Sequence, residues 1–131
     1  MRLPPSSGAS RAVRVLTVDD QAVFRQIADD VIAATEGFEA VGEAGGGAEA
    51  LEAVQRLSPD LVLLDVRMPG IDGIEVARRL VASGSDAVVV LISVDDADLP
   101  SAAELGRAVP LVRKQDFGPR LLRQLWAENR A

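Results

Sequence analysis

Apolar runs and segments of helical spacing alternate along most of the chain. The strand-like runs lie at residues 13–18, 38–44, 61–64, 87–92 and 109–112, and the helical segments lie at 22–35, 48–57, 71–81, 95–105 and 117–127. The runs at 61–64 and 87–92 are apolar throughout, which is typical of central strands covered on both faces. Five strand–helix units predict an α/β fold with an open parallel sheet, helices on both faces and right-handed crossovers.

The helical segments also predict which side chains pack against the sheet. The apolar positions at helical spacing are Val23, Ile27, Val31 and Ile32 in the first helix, Leu51, Val54 and Leu57 in the second, Ile74, Ala77 and either Leu80 or Val81 in the third, and Phe117, Leu121, Leu122, Leu125 and Trp126 in the last. Residues 45–47 are three glycines without the Gly-Lys-Ser/Thr ending of a phosphate-binding loop, so we interpret them as a flexible turn.

Polar side chains follow four of the predicted strands. Asp19 and Asp20 follow the first strand, Asp65 the third, Ser93 the fourth and Lys114 the fifth. In open parallel sheets ligands bind beyond the carboxyl ends of the strands, where the strand order reverses. Two carboxylates about 4 Å apart near a surface repel by roughly 4 kcal/mol, and a divalent cation would relieve this. An oxygen-only ligand set favours a hard cation such as Mg²⁺.

Each of these residues also has a plainer interpretation. Asp20 could be an N-cap of the next helix, Asp65 could face solvent, and Ser93 could be a loop hydroxyl. Lys114 could be a solvated loop residue, but it is the only lysine beside thirteen arginines. A single lysine among so many arginines indicates a position that needs a compact ammonium group.

The composition narrows the possible chemistry. The chain has 131 residues, no cysteine and no histidine, so it suits one domain without thiolate or imidazole metal sites and without Ser-His or Cys-His catalysis. Its net charge of −6 argues against broad binding to nucleic acid or an anionic membrane. No apolar stretch reaches the length of a membrane span, and the first residues lack the apolar core of a signal peptide. We therefore expect a cytoplasmic protein.

The motifs together resemble the receiver domain of bacterial two-component response regulators. They are Val18-Asp19-Asp20, the stretch Asp65-Val66-Arg67-Met68-Pro69-Gly70-Ile71-Asp72-Gly73, Ser93 and Lys114. The resemblance covers about residues 12–127, and the central portion is most similar to receivers that carry a helix-turn-helix output domain. It implies a flavodoxin-like, doubly wound sheet with strand order 2-1-3-4-5. We expect a flexible leader at residues 1–11 and a stand-alone receiver domain at residues 12–131.

The resemblance implies a phosphorylation switch that depends on Mg²⁺. Asp65 would accept a phosphoryl group from a histidine of a sensor histidine kinase or phosphotransfer protein. Asp20 would bind Mg²⁺ directly and Asp19 mainly through water, while Asp65 and the carbonyl group of Arg67 would complete the ligand set. The protein would be a phosphoacceptor that catalyses its own phosphorylation and dephosphorylation, not an enzyme that turns over a separate substrate.

The same resemblance assigns the remaining motif residues. Lys114 would neutralise phosphoryl oxygens, and the Ser93 hydroxyl would donate to the phosphoaspartate and move toward it. That movement would change a surface of the fourth helix, fifth strand and fifth helix, and so the binding of a downstream protein partner. Gly73 would let the backbone of the third helix pass close to the site.

Three positions depart from the family pattern. Leu111 stands where an aromatic residue often reports the switch, Gln115 where proline is usual, and Val94 where alanine or glycine leaves room for the phosphoryl group. We expect a trans peptide bond after Lys114, a smaller aliphatic rearrangement at Leu111 and slower phosphoryl entry and loss past Val94.

These departures keep other functions open. One is an adaptor with a receiver fold that is no longer phosphorylated, and another is the receiver fragment of a DNA-binding transcription regulator. A phosphatase with an aspartate nucleophile fits less well, because that chemistry needs a second acid two residues after the nucleophile, where Arg67 stands.

Overall fold

Strands and helices alternate along the chain, as the apolar pattern predicts. The computed structural model describes residues 11–94, 102–105, 107 and 109–130. The strands are β1 (Val13–Val18), β2 (Phe38–Ala44), β3 (Leu61–Asp65), β4 (Val88–Ser93) and β5 (Leu111–Arg113). The helices are α1 (Ala22–Ala33), α2 (Gly47–Leu57), α3 (Gly73–Ala82), α4 (Ala102–Leu105) and α5 (Pro119–Asn129), and a 3₁₀ turn at Lys114–Asp116 precedes α5.

The five strands form one parallel sheet in the order β2-β1-β3-β4-β5. This confirms the predicted fold class and strand order. Val18 pairs with Leu64, so the residues that follow β1 lie beside the end of β3. Asp65 pairs with Ile92, and Ser93 pairs with Arg113 directly before Lys114. The register therefore brings the four polar strand ends to one edge of the sheet.

Helices cover both faces of the sheet. Alternate residues of the central strands enter two separate apolar clusters, as the period of two in a strand requires. Leu16, Val62 and Leu64 pack with α2 and α3 on one face. Val15, Leu61 and Leu63 pack with α1 and α5 on the other face. No helix among the described residues is both long and apolar enough to cross a membrane.

Helix α1 buries a face that overlaps the predicted one only in part: of the predicted positions, Ile32 is buried and Val31 is half-buried against the core. Phe24, Ala28 and Ile32 are buried, whereas Val23 is 73% exposed and Ile27 is 48% exposed. Two apolar stripes lie side by side on this helix, and spacing alone does not choose between them. Phe24 contacts Phe117, with ring centroids 6.2 Å apart, and this contact favours burial of the stripe that contains Phe24.

Several element boundaries differ from the predicted ones. Helix α3 begins at Gly73 because the Asp72 side chain caps it, accepting a hydrogen bond from the Glu75 N–H at 2.9 Å. Strand β5 begins two residues later than predicted, and α5 begins after Gly118. Of the predicted fourth helix only Ala102–Leu105 is described; residues 95–101 lie outside the described residues, as do residues 1–10 of the predicted leader.

The glycine run before α2 has a packing role that the sequence interpretation missed. Gly47 is the buried first residue of α2, and a Cβ atom there would lie 2.3 Å from the Ile71 carbonyl oxygen. Residue 47 is therefore glycine because α2 passes against the backbone of the β3–α3 loop, and it is not part of a flexible turn.

Candidate functional site

Three carboxyl groups converge at the carboxyl ends of β1 and β3. One oxygen each from Asp19, Asp20 and Asp65 lies within 4.8 Å of the others. Asp19 is fully buried, Asp65 is buried and Asp20 is exposed, so the cluster opens to solvent on the Asp20 side. The convergence inferred from strand adjacency is present, and neither Asp20 nor Asp65 adopts the plainer role considered for it. Asp20 is not the N-cap of α1, since Gln21 occupies that position.

Lys114 lies over the same cluster. Its Nζ is 2.6 Å from Asp19 Oδ2 and 3.9 Å from Asp65 Oδ1, and its side chain is largely buried. The ammonium group also lies 4.7 Å from the centroid of the Phe24 ring. Cation–π attraction and two carboxylates therefore hold this lysine, and it is not a solvated loop residue.

Asp19 uses its two carboxylate oxygens differently. Oδ1 accepts a hydrogen bond from the Gln21 N–H at 2.8 Å. Oδ2 is buried and lies 2.6 Å from Lys114 Nζ, a close charge-assisted contact. A buried carboxylate needs compensation by positive charge, and its oxygens keep lone pairs for a further positive partner.

The environment of Asp65 makes ionisation of this carboxyl group difficult. Burial, and then the negative charge of Asp19, raises the pKa of Asp65 to about 6. Lys114 and a hydrogen bond from the Arg67 backbone N–H lower the pKa without offsetting these effects. A cation beside Asp65 would favour its carboxylate form.

Gly73 lets α3 begin directly against β3. A Cβ atom at this position would lie 2.0 Å from the carbonyl oxygen of Asp65 and 2.8 Å from its carbonyl carbon. The Gly73 N–H donates to the Val66 carbonyl at 3.1 Å. The backbone of α3 therefore passes close to the site, as inferred for Gly73, and its first residue packs directly against the backbone of Asp65.

The other predicted residues surround this cluster at different depths. Ser93 is buried at the end of β4, and Val94, which follows it, is 62% exposed. Arg67 is exposed after β3, and Leu111 is half-buried against the apolar cluster of the α2–α3 face. The described peptide bonds are all trans, including the one after Lys114.

The donor set fits a hard divalent cation. Three carboxylates supply only oxygen ligands, and the solvent-exposed Asp20 leaves room for a hydrated ion. Mg²⁺ binds through one or two carboxylates and keeps several waters, which matches this arrangement. Asp20, Asp65 and Asp19 are the side chains that would hold it.

Helix α1 contributes residues that the sequence analysis missed. Besides Phe24 under Lys114, Arg25 donates from Nη1 to the Asp19 carbonyl oxygen at 2.6 Å and from Nε to Glu43 at 2.8 Å. No motif marks these residues, because their partners come from another strand or loop of the fold.

One helical turn after Arg25, Asp29 contacts Glu43. This contact between two carboxyl groups favours the sharing of one proton. Burial, and then the contact with Glu43, raises the pKa of Asp29 to about 6, while the contact with Asp29 holds the pKa of Glu43 below its ordinary value. This pair lies outside the three-aspartate cluster.

Asp29→Asn is expected to raise the free energy of unfolding by about 1 kcal/mol above pH 6, because the carboxamide donates permanently to Glu43. The folded-state pKa of Asp29, about 6, exceeds its ordinary value of 3.8. The protonated group therefore favours folding below pH 3.8, and this contribution is lost as the pH rises through about 6. Urea unfolding over this pH range measures the difference between variant and wild type.

Asp30→Asn is the matched control for this prediction. Asp30 is exposed in the same last turns of α1, so its substitution makes the same change in helix-end charge. A gain in Asp30→Asn equal to that in Asp29→Asn would contradict the proton-sharing explanation.

Comparison with known proteins connects this site to a family. The family model of the response regulator receiver domain matches residues 15–124. The chain is 44% identical over 104 residues to a protein-glutamate methylesterase/protein-glutamine glutaminase of Myxococcus xanthus, covering 78% of this chain and 30% of that protein. It is 42% identical over 86 residues to the response regulator GacA of Pseudomonas viridiflava, covering 66% of this chain and 40% of that protein. The chain thus spans less than half the length of these relatives.

Solved structures show the same fold. The signal receiver domain of the putative response regulator NarL from Mycobacterium tuberculosis superposes with a TM-score of 0.79 at 30% identity, covering 89% of this chain and 95% of that one. The response regulator domain of Thermotoga maritima CheB gives 0.76 at 27% identity, covering 89% and 96%. The resemblance seen in the motifs is confirmed: the chain belongs to the response regulator receiver domain family.

Proposed function

We propose that this chain accepts a phosphoryl group on Asp65 and signals through altered binding of a protein partner. The observation that carries the proposal is the placement of the Asp65 carboxyl group between two further acids and the Lys114 ammonium group. The acids suit a divalent cation, and the ammonium group suits phosphoryl oxygens. A purely structural role would not require three acids and an ammonium group together at one solvent-accessible edge of the sheet.

The donor would be a phosphohistidine of a sensor kinase or phosphotransfer protein. An Asp65 carboxylate oxygen attacks phosphorus, the phosphorus–nitrogen bond breaks, and the imidazole leaves with the electron pair of that bond. Mg²⁺, when bound, neutralises negative charge on the transferring phosphoryl group. The Lys114 ammonium group is 3.9 Å from Asp65 Oδ1, so it would contact an oxygen of a phosphoryl group on Asp65.

The remaining roles follow from position. The Arg67 carbonyl would add a metal ligand, and the Ser93 hydroxyl would donate to the phosphorylated group. Leu111 is the first residue of β5 and packs against the same apolar cluster as Leu105 of α4, so a movement of Ser93 on the neighbouring strand would reach that surface. The partner is a protein that distinguishes the two states of this surface.

The relatives place receivers of this kind within longer proteins. The chain spans 30% of the M. xanthus methylesterase and 40% of GacA. The partner of the switch could accordingly be an output domain of a longer protein, including a DNA-binding one, or a separate protein. Both arrangements use the same phosphorylation chemistry.

Acetyl phosphate with Mg²⁺ tests the proposal directly. Intact-mass analysis should show one added phosphoryl group on the wild type and none on Asp65→Asn, since the carboxamide oxygen is a poor nucleophile. Asp86→Asn is the matched control, because Asp86 is an exposed acid before β4, at the opposite end of the sheet. Omission of Mg²⁺ should also prevent the adduct. An unmodified wild type, or an adduct that persists in Asp65→Asn, would favour the adaptor that is no longer phosphorylated.

A further inference from the structure

The loop that presents Asp19 and Asp20 has few fixed points. The Asp19 N–H donates to the Ala44 carbonyl at 3.0 Å, and the Gln21 N–H donates to Asp19 Oδ1 at 2.8 Å. Helix α1 begins after Gln21 without a side-chain cap and without an acid in its first turn. The usual stabilisation of a helix start is therefore missing where two acidic side chains must be held in place.

Arg25 supplies a further fixed point. From the second turn of α1, its Nη1 reaches back to the Asp19 carbonyl oxygen at 2.6 Å. This oxygen belongs to the peptide that joins Asp19 to Asp20. A donor held on that oxygen fixes the orientation of the peptide plane, and hence the direction in which both aspartate side chains leave the backbone.

Glu43 and its neighbours orient Arg25. Arg25 Nε donates to Glu43 Oε1 at 2.8 Å, and the guanidinium lies near Gly45, where a Cβ atom would be 3.7 Å from Nη1. Asp29 contacts the same Glu43 carboxyl group from the next turn of α1. The planar, forked guanidinium thus bridges a strand-end carboxylate and a loop carbonyl, which a lysine cannot reproduce.

A pair as exposed as Arg25 and Glu43, whose side chains are 22% and 42% exposed, would add little to stability by charge attraction alone. The contact of Arg25 with the Asp19 carbonyl instead indicates a role in orienting the loop that carries the acids. Groups that orient metal ligands through hydrogen bonds change the metal affinity without contacting the metal.

We propose that Arg25 is a positioning residue for the divalent-cation site: held by Glu43, it fixes the peptide between Asp19 and Asp20 so that both carboxylates face the cation. This inference rests on the proposed function for its biological use, but it concerns binding of the cation and needs no phosphoryl donor to test.

The sign of the effect separates positioning from charge. Arg25→Gln removes a positive charge near a cation site, so electrostatics alone predicts tighter Mg²⁺ binding. Loss of positioning predicts weaker binding. Isothermal titration of MgCl₂ into the metal-free protein should show a dissociation constant raised about tenfold in Arg25→Gln, with a smaller rise in Arg25→Lys, which keeps the charge and loses the fork.

Arg14→Gln is the matched control. Arg14 lies near the start of β1, the strand whose other end leads to Asp19, and its Nη1 donates to the Ser58 carbonyl at 2.8 Å. This variant therefore loses the same charge and the same kind of contact far from the three-aspartate cluster. Its Mg²⁺ affinity should stay at the wild-type value.

Hydrogen exchange of the metal-free protein gives an independent readout. The Gln21 amide, bonded to Asp19 Oδ1, should exchange faster in Arg25→Gln than in wild type or Arg14→Gln. Unchanged or tighter Mg²⁺ binding, or an unchanged Gln21 amide, would overturn the proposal. If Arg25→Gln does not fold, Arg25→Lys, which keeps the charge, decides by the same two measurements. A wild type that binds Mg²⁺ but takes no phosphoryl group would count against the proposed function only.

Discussion

Lys114→Met is expected to slow phosphorylation of Asp65 by acetyl phosphate by about 10²-fold, because removing one preorganised positive donor at the site of developing charge costs this much in comparable sites. The ammonium group is 3.9 Å from Asp65 Oδ1 and is held there by Asp19 and the Phe24 ring. Methionine keeps the length and the contact with Phe24 but not the charge. The initial rate of adduct formation at saturating Mg²⁺ measures the effect.

The same substitution is expected to destabilise the metal-free protein. Asp19 would keep a fully buried carboxylate without its ionic partner, and breaking a buried pair from one side costs about 3–5 kcal/mol. Saturating Mg²⁺ should restore part of this stability, since the cation replaces the missing positive charge. Thermal melts with EDTA and with Mg²⁺ measure both effects.

Two controls accompany Lys114→Met. Arg120→Met removes an exposed positive charge from α5 and should change neither the rate nor the stabilisation by Mg²⁺. Lys114→Arg keeps the charge with a wider, planar group, and should recover stability better than rate. A wild-type phosphorylation rate in Lys114→Met would contradict the role assigned to the ammonium group.

Gly73→Ala is expected to lower the free energy of unfolding by about 3 kcal/mol, the upper part of the usual range for overpacking. In an unobstructed helix the same change would be stabilising. Here the new Cβ would lie 2.0 Å from the Asp65 carbonyl oxygen, so α3 or the end of β3 has to move. Urea unfolding measures the loss, and the Mg²⁺ affinity of the folded fraction should fall as Asp65 is displaced.

Gly118→Ala is the control for Gly73→Ala. Gly118 precedes α5, and a Cβ atom there meets nothing within 4 Å. Its substitution should cost no more than the loss of a favourable N-cap glycine, about 1 kcal/mol, and should leave the Mg²⁺ affinity unchanged. Equal losses in the two variants would show that the close approach of α3 to β3 is not the cause.

The strands were predictable to different degrees, for physical reasons. Strands β1 and β2 have the predicted bounds: β1 is rich in β-branched residues and stops at two aspartates, and Gly37 and Gly45 flank β2. Strand β5 is only three residues long at the sheet edge and carries a weaker apolar signal, so its start was placed two residues early. In α1, two adjacent apolar stripes satisfied the same spacing, and the buried one packs against the sheet, Phe117 and α5.

The residues of the candidate site were also predictable to different degrees. Asp19, Asp20, Asp65, Ser93 and Lys114 were predictable because each lies at or just after the carboxyl end of a strand, and parallel strands end at one edge of the sheet. Arg25 and Glu43 were not predictable, since each is an ordinary surface-type residue until β2 and α1 are brought together. Gly47 was wrongly interpreted as part of a flexible turn because the backbone it packs against, at Ile71, is distant in sequence.

By itself, the sequence determined the alternation of strands and helices, the receiver family and the set of acidic, hydroxyl and lysine side chains at the strand ends. These follow from local periodicity and from motifs within short stretches of chain. Only the tertiary structure decided that Lys114 is held between Asp19 and the Phe24 ring, and that Arg25 holds the Asp19 carbonyl. These are contacts between separate elements, and their distances depend on how the helices pack on the sheet.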